Sequence, residues 1–273
     1  MKLHEEVGGD LPYGELTVLM DKEEIDPSIE ELSIDLLLNE SQITLKAMVQ
    51  NFHVRHNECR MELIIPSKKF ISELKSKEFS SYKDIVNSLC PYDTLNDVPE
   101  DANISGKLFQ NNMSDYQFLL RYLMSGQSQC LPAFRLDGLY MVDFTKTPSE
   151  SLDVPALRRY LHLNVSHNKL KDIKATKNEF KTNSVASIHY NNTVYGLSSG
   201  LAGALCNYLQ NQQLLGALEN SVPYDFPDFM EYRAGDLVKL TGTDIEENNF
   251  VITHVDLDLL PQQIIHKCKF ASL

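Results

Sequence analysis

The chain has 273 residues, 42% of them hydrophobic and 23% charged, with a formal net charge of −13. That apolar content is enough for real cores, in two domains or one large one, and it excludes wholesale disorder. Proteins built to grip nucleic acid carry a basic stripe, and none is present here. The densest basic stretch, Lys169 to Lys181, is diluted by Asp172 and Glu179 and reads as a solvated segment.

The first third reads as strands: Met1 to Val7 ending at Gly8-Gly9, then Gly14 to Met20, Leu32 to Leu38, Ile43 to Val54 and Arg60 to Ile65. β-Branched and apolar residues in period-two patches, separated by short polar breaks, are the signal of a small antiparallel barrel or sandwich. At Pro66 the period changes. Phe70, Ile71 and Leu74 have helical spacing. Tyr82, Ile85, Val86 and Leu89 follow at i, i+3, i+4 and i+7, behind serines suited to cap a helix. Cys90-Pro91 ends that helix.

Ser114 and Gln117 form a capping box ahead of the stripe Tyr116, Leu119, Leu120 and Leu123, and Gly126 stands where a helix stop belongs. Asp137-Gly138 between two apolar runs predicts a hairpin. Thr145 to Asp153 reads as a connector. Ser184 to Tyr190 and Thr193 to Tyr195 read as strands, and Ser199 to Gln210 as a helix of small residues. Strands return at Leu237 to Leu240, Phe250 to Leu257 and Ile264 to Phe270, the last two a hairpin around Leu260-Pro261-Gln262.

Five cysteines, Cys59, Cys90, Cys130, Cys206 and Cys268, stand singly with no C-x-x-C, which fits folding in a reducing cytoplasm. The charged opening Met1 to Glu6 is not that of a signal peptide, and no apolar run approaches a membrane span. Gly196-Leu197-Ser198-Ser199-Gly200 matches G-x-S-x-G. Asp225, Asp228 or Asp236 and His254 or His266 follow in the order a serine hydrolase needs. Such an elbow belongs on a doubly wound parallel sheet, and the strands-then-helices order upstream does not supply one. The bland reading is a helix start packed through small residues. His53, His56 and Cys59 hint at a metal cluster, but residues three apart on a strand point to opposite faces, and zinc wants about four ligands. His254 and His266 are expected to face each other across the final hairpin as cross-strand packing. No catalytic, cofactor or metal residue is therefore assigned.

Three stretches carry a resemblance. Residues 1–54, with an x-x-G-x-L strand and an acidic turn, residues 111–144 (NNMSDYQFLLRYLMSGQSQCLPAFRLDGLYMVDF) and residues 232–270, opening on YRAGDLV, resemble in order the phage tail baseplate hub family. This family of tail-tip hubs has two tube domains and also supplies the N-terminal part of VgrG spike proteins. Tyr116 stands where the family often has Trp. The chain is short for the family and has no needle or lysozyme region, so a spike is expected to be a separate protein.

The resemblance implies an α+β, mainly β fold. Two small antiparallel β-barrel or sandwich tube domains, residues 1–66 and 150–273, would flank a helical and hairpin domain at 67–149. It implies a homotrimer of non-enzymatic hubs in a virion tail or baseplate, assembled in the host cytoplasm. That ring would join the sixfold tail tube protein to a threefold central spike protein and contact other baseplate proteins, and DNA would pass without specific binding. The alternatives are a hub of a bacterial contractile secretion or injection system, and a serine hydrolase using Ser198.

Overall fold

The computed structural model describes residues 1–19, 26, 28–38, 41–65, 68–98, 108–153, 173–176, 179–182, 190–191, 199–219, 221–226, 230–241 and 249–272. Strands dominate, and the class α+β, mainly β, holds. The N-terminal strands are β1 (Lys2–Val7), β2 (Tyr13–Leu19), β3 (Glu31–Leu38), β4 (Ser41–Arg55) and β5 (Glu58–Ile64). The middle holds α1 (Lys68–Ser72), β6 (Leu74–Phe79), α2 (Tyr82–Leu89), β7 (Leu95–Asn96), β8 (Leu108–Ser114), α3 (Asp115–Gly126), β9 (Cys130–Arg135) and β10 (Gly138–Asp143). Then come β11 (Glu150–Asp153), β12 (Ile173–Thr176), β13 (Glu179–Thr182), β14 (Tyr190–Asn191), α4 (Ser199–Leu218), β15 (Val222–Phe226), β16 (Leu237–Thr241), β17 (Asn249–Leu260) and β18 (Gln263–Ser272).

Thirteen strands from both ends and the middle join in one sheet, and among the described residues no barrel closes. The cause is β1, which is shared. One edge of it pairs with β17. The other edge pairs with β2 at Lys2 to His4 and with β9 at Glu6 and Val7. The N-terminal strands therefore continue into the C-terminal hairpin instead of curling back on themselves. Gly8 and Gly9, at φ 121° and 106°, turn the chain out of β1 in a conformation that side chains rarely adopt.

Within this sheet runs an antiparallel series of eight strands, β15–β18–β17–β1–β2–β5–β4–β3. Alternation splits it into two faces. Leu3, Leu63, Met61, Val255 and Leu257 are buried on one face against the rest of the molecule. A second core lies in the insertion, where Phe79, Ile85, Phe118, Leu119, Leu123 and Phe134 gather.

The local signals act as expected at several points. Ser81 accepts from the Asp84 N–H and starts α2. Ser114 and Gln117 make a complete capping box at α3. Both expected hairpins form, β9–β10 and β17–β18. The two-residue loop of the first is Leu136-Asp137, one position before Asp137-Gly138. Gly138 serves another need: a Cβ there would lie 2.8 Å from the Thr94 carbonyl oxygen, so only glycine admits that close backbone approach. Leu74, expected in a helix, opens β6, because α1 ends at Ser72 and the chain pairs with β8 instead. The connector holds strand β11, and the helix expected over 199–210 extends to Leu218. In the expected strands 184–190 and 193–195, only Tyr190 lies among the described residues.

Candidate functional site

The outward face of the eight-strand series is largely polar, with a few apolar side chains such as Ile64, Met48 and Leu37 among the charged ones. One row of cross-strand partners crosses all eight strands: Asp225, Lys267, Asp256, His4, Tyr13, Ile64, Met48 and Glu31. Such side chains share a face because directly opposed residues point the same way. Lys267 reaches Asp258 at 2.8 Å, Arg60 reaches Glu15 at 2.5 Å, and Thr44 donates to Asp35 at 2.6 Å. An open depression of about 260 Å³ lies at the middle of the face, between Lys2, His4, Tyr13, Glu15, Asp256 and Asp258.

Beside it sits the face's densest charge cluster. His4 Nδ1 lies 2.6 Å from Asp256 Oδ1, and Glu6 touches His4 Nε2 at 3.5 Å and His254 Nε2 at 2.8 Å. Burial opposes charge on His4, but its bonds to Asp256 and Glu6 prevail and lift its pKa to about 9. Burial likewise opposes charge on Glu6, yet the two histidines bring it down to about 2. His4, Glu6 and Asp256 therefore stay ionised over a wide pH range and fasten β1 to β17.

Beneath the sheet lies a second, buried network. Glu5 is fully buried on the inward phase of β1, between Leu3 and Val7. Arg233 contacts both of its oxygens, with Nε at 2.9 Å from Oε2, and the Leu136 N–H donates to Oε1 at 2.6 Å. Arg135 donates to the Ala234 carbonyl at 2.8 Å and to Asp236 at 2.7 Å. Burial favours the neutral acid at Glu5, but the paired Arg233 overcomes it and holds that carboxyl below its ordinary range. The network ties β1, the β9–β10 turn and the segment before β16 together. The sequence reading missed it, although a glutamate on the inward phase of an apolar strand was a signal for it.

The candidate residues of the sequence do not assemble. His53 and His56 are exposed and Cys59 is buried on β5, and no metal-binding group of three occurs among the described residues. His254 and His266 do not face each other, a correction to the expected register. His254 pairs with Lys269, and His266 with Leu257. A shift between Ile252 and His254 and the alternation of the strands place the two rings on opposite faces. Ser198 and Asp228 lie outside the described residues. Asp236 is held by Arg135 and by the Arg233 N–H, and His254 by Glu6 and Thr253. The main sheet is antiparallel except at β7–β10 and β11–β16, so it offers no doubly wound support for a nucleophile elbow. No helix among the described residues is long and apolar enough to cross a membrane.

No family model matches the sequence, and no curated protein does. Solved structures do. The E. coli c3393 protein, a type VI secretion component described as similar in structure to the bacteriophage T4 tail proteins gp27 and gp5, aligns over 100% of this chain and 72% of its own. The TM-score is 0.61 at 13% identity. A 43 kDa tail protein of prophage MuSo2 from Shewanella oneidensis covers 99% of this chain and 94% of its own, with TM-score 0.55 and 12% identity. A tail protein from Neisseria meningitidis MC58 covers 99% and 91%, with TM-score 0.55 and 11% identity. At such identities the likeness is one of fold. The chain has the fold of phage-tail and type VI secretion proteins.

Proposed function

We propose that this chain is a structural hub of a phage-type tail or baseplate, a homotrimeric ring that joins a sixfold tail tube to a threefold spike and lets DNA pass. The observation that carries this reading is the eight-strand polar face and its internal repetition. In sheet order it divides into β15–β18–β17–β1 and β2–β5–β4–β3. Each block has a hairpin as its two central strands, and β17 and β4, which lead into the hairpin turns, run in the same direction. One chain thus presents two equivalent units side by side, and three chains present six.

The sheet ends support closure. β3 and β15 each have an unpaired outer edge among the described residues, and they run in opposite directions. Bare edges invite pairing. β3 of one chain beside β15 of the next is a heterologous contact that closes into a ring, and it keeps the sheet antiparallel throughout. Three times eight strands is 24. At ~4.8 Å spacing and ~40° tilt this gives a wall roughly 45–50 Å across. Turning the polar face inward lines the bore with Asp225, Asp256, Glu15 and Glu62 among interspersed lysines and arginines, without a basic stripe for phosphates to grip.

The hub acts by geometry: it holds tube, spike and other baseplate proteins in register, has no catalytic step and needs no cofactor or metal. It resides in the virion tail, assembled in the host cytoplasm. The boundaries 1–66, 67–149 and 150–273 mark its first tube unit, insertion and second tube unit, with β1 contributing to the second. A second reading, the hub of a bacterial contractile secretion system, draws on the likeness to the type VI component. Negative-stain images and sedimentation of the purified protein test the proposal. A trimeric ring with a central hole is the expected result, and a stable monomer at micromolar concentration overturns it.

A further inference from the structure

Inside the chain, strands of the polar face are joined by charges of opposite sign. Arg60 of β5 meets Glu15 of β2, Lys267 of β18 meets Asp258 of β17, and His4 of β1 meets Asp256 of β17. The two outer strands break this rule. β3 reads ELSIDLLL and β15 reads VPYDF, so neither holds a lysine or an arginine. Their charged residues are Glu31, Asp35 and Asp225, all acidic and all exposed. Glu31 and Asp225 end the row of partners that crosses the face, and Asp35, an even number of residues along β3 from Glu31, points the same way.

β3 of one chain and β15 of the next meet at the seam of the ring proposed above. That seam has two layers. On the inward side lie Leu32, Ile34 and Tyr224, each only partly buried within one chain, and their burial draws the edges together. On the outward side the acids of β3 and Asp225 share one exposed surface, and like charges opposed on neighbouring strands are destabilising. The nearest cations on the face, among the described residues, stand one strand further in. They are Lys46 opposite Ser33, Lys269 opposite Pro223, and Lys267, which Asp258 already engages at 2.8 Å. Each is roughly 10 Å from the facing edge. A net charge of −13 per chain adds long-range repulsion of the same sign.

We infer that the acidic outer strands make ring closure conditional on ionic screening: copies of this chain stay apart at low salt and pair when dissolved cations screen Glu31, Asp35 and Asp225. This inference rests on the ring reading and adds a control over when the ring forms. A heterologous contact that fails to close generates open filaments. Edges that repel until screened are protected from pairing with a wrong strand, as charged edge strands are in general.

The test is sedimentation of the purified full chain at ~10 mM and ~1 M NaCl, where the screening length is about 30 Å and about 3 Å. Wild type is expected to trimerise about tenfold more tightly at the higher salt. Glu31→Gln with Asp35→Asn and Asp225→Asn changes three exposed positions and is expected to melt like wild type. At ~10 mM NaCl this variant should trimerise about tenfold more tightly than wild type, with a much smaller response to added salt. Glu58→Gln with Asp93→Asn and Glu150→Gln removes the same charge at exposed positions off the two outer strands, and should keep most of the wild-type response. An equal salt response in wild type and the outer-strand variant overturns the inference. So do wild-type trimers that loosen or hold unchanged as salt rises, or a matched variant that loses the response to the same degree. Absence of trimers from wild type and the outer-strand variant at both salt concentrations overturns the ring reading itself, whereas the other adverse outcomes leave the ring standing.

Discussion

Arg233 meets Glu5 across 228 residues of chain, and both side chains are almost wholly shielded from water. A buried carboxylate is tolerated only while its partner remains. Arg233→Ala strands the Glu5 charge and is expected to lower stability by about 3–5 kcal/mol. Glu5→Met with Arg233→Met removes both charges and is expected to recover more than half of that loss. Urea denaturation midpoints of the two variants check this. Equal losses in both would mean that the pair contributes by packing alone.

Asn211 is 0% exposed, and its amide is fully used. Its Nδ2 donates to the carbonyls of Met124 and Gln127, each at 2.8 Å, and its Oδ1 accepts the Cys130 N–H at 3.2 Å. One turn earlier Asn207 donates to Ser125 at 3.1 Å. The last carbonyls of α3, which the helix itself leaves unpaired, are thus satisfied by α4. Asn211→Ala strands the buried Met124 carbonyl and Cys130 N–H and frees the Gln127 carbonyl near the surface, and is expected to cost about 2–4 kcal/mol. Hydrogen exchange locates the effect: the Cys130 amide and the end of α3 should lose protection well before β17.

What was legible in the sequence follows from where each signal originates. β1 to β5 and the β17–β18 hairpin declare themselves because one face meets the core and the other meets water, which writes alternation into the residues. The α3 capping box is local and was read directly. β6 and β8 escaped because LKSKEF and LFQNNMS form a two-stranded sheet that buries little besides Phe79, Leu108, Gln110 and Ser114. β15 escaped because Pro223 demotes VPYDF from a strand, although an outer strand tolerates proline. The repeated four-strand block was not legible at all. Its two halves share strand direction and hairpin placement but no sequence pattern, and β1 reaches its block through pairing with a strand more than 240 residues away. The His254 and His266 register failed for a smaller reason: the shift after Ile252 is a local irregularity with no sequence mark.

Gly138 offers a sharp steric test. An added methyl would meet the Thr94 carbonyl oxygen at 2.8 Å and the Thr94 Cβ at 2.9 Å, neither of which is the free end of a flexible side chain. The Leu139 N–H donates to that same carbonyl at 3.0 Å and fixes its position. Gly138→Ala is therefore expected to cost about 1–3 kcal/mol by forcing β7 away from β10. Asp137, the neighbouring turn residue, is exposed and lies 3.5 Å from Arg233, so replacing it with Asn removes one partly solvated ion pair and should cost no more than about 1 kcal/mol. Thermal melts of the two variants check the contrast.

Stability should peak between two histidine titrations of opposite sign. His4 has its folded pKa raised from 6.5 to about 9, because Asp256 and Glu6 overcome its burial. Its contribution is complete below pH 6.5 and is lost as pH rises toward 9. His266 is buried, with Nδ1 accepting the Met230 N–H at 3.1 Å, and burial pushes its folded pKa down to about 4. The unfolded chain binds this proton more readily, so the contribution of His266 is complete above pH 6.5 and is lost as pH falls toward 4. Denaturation midpoints measured from pH 4 to 10 should rise to about pH 6.5 and fall toward pH 9. His4→Gln removes the alkaline titration while keeping a polar side chain. Its profile should lie below wild type at pH 6 and converge on it near pH 10. An alkaline decline as steep in His4→Gln as in wild type would assign the loss to another group on the face.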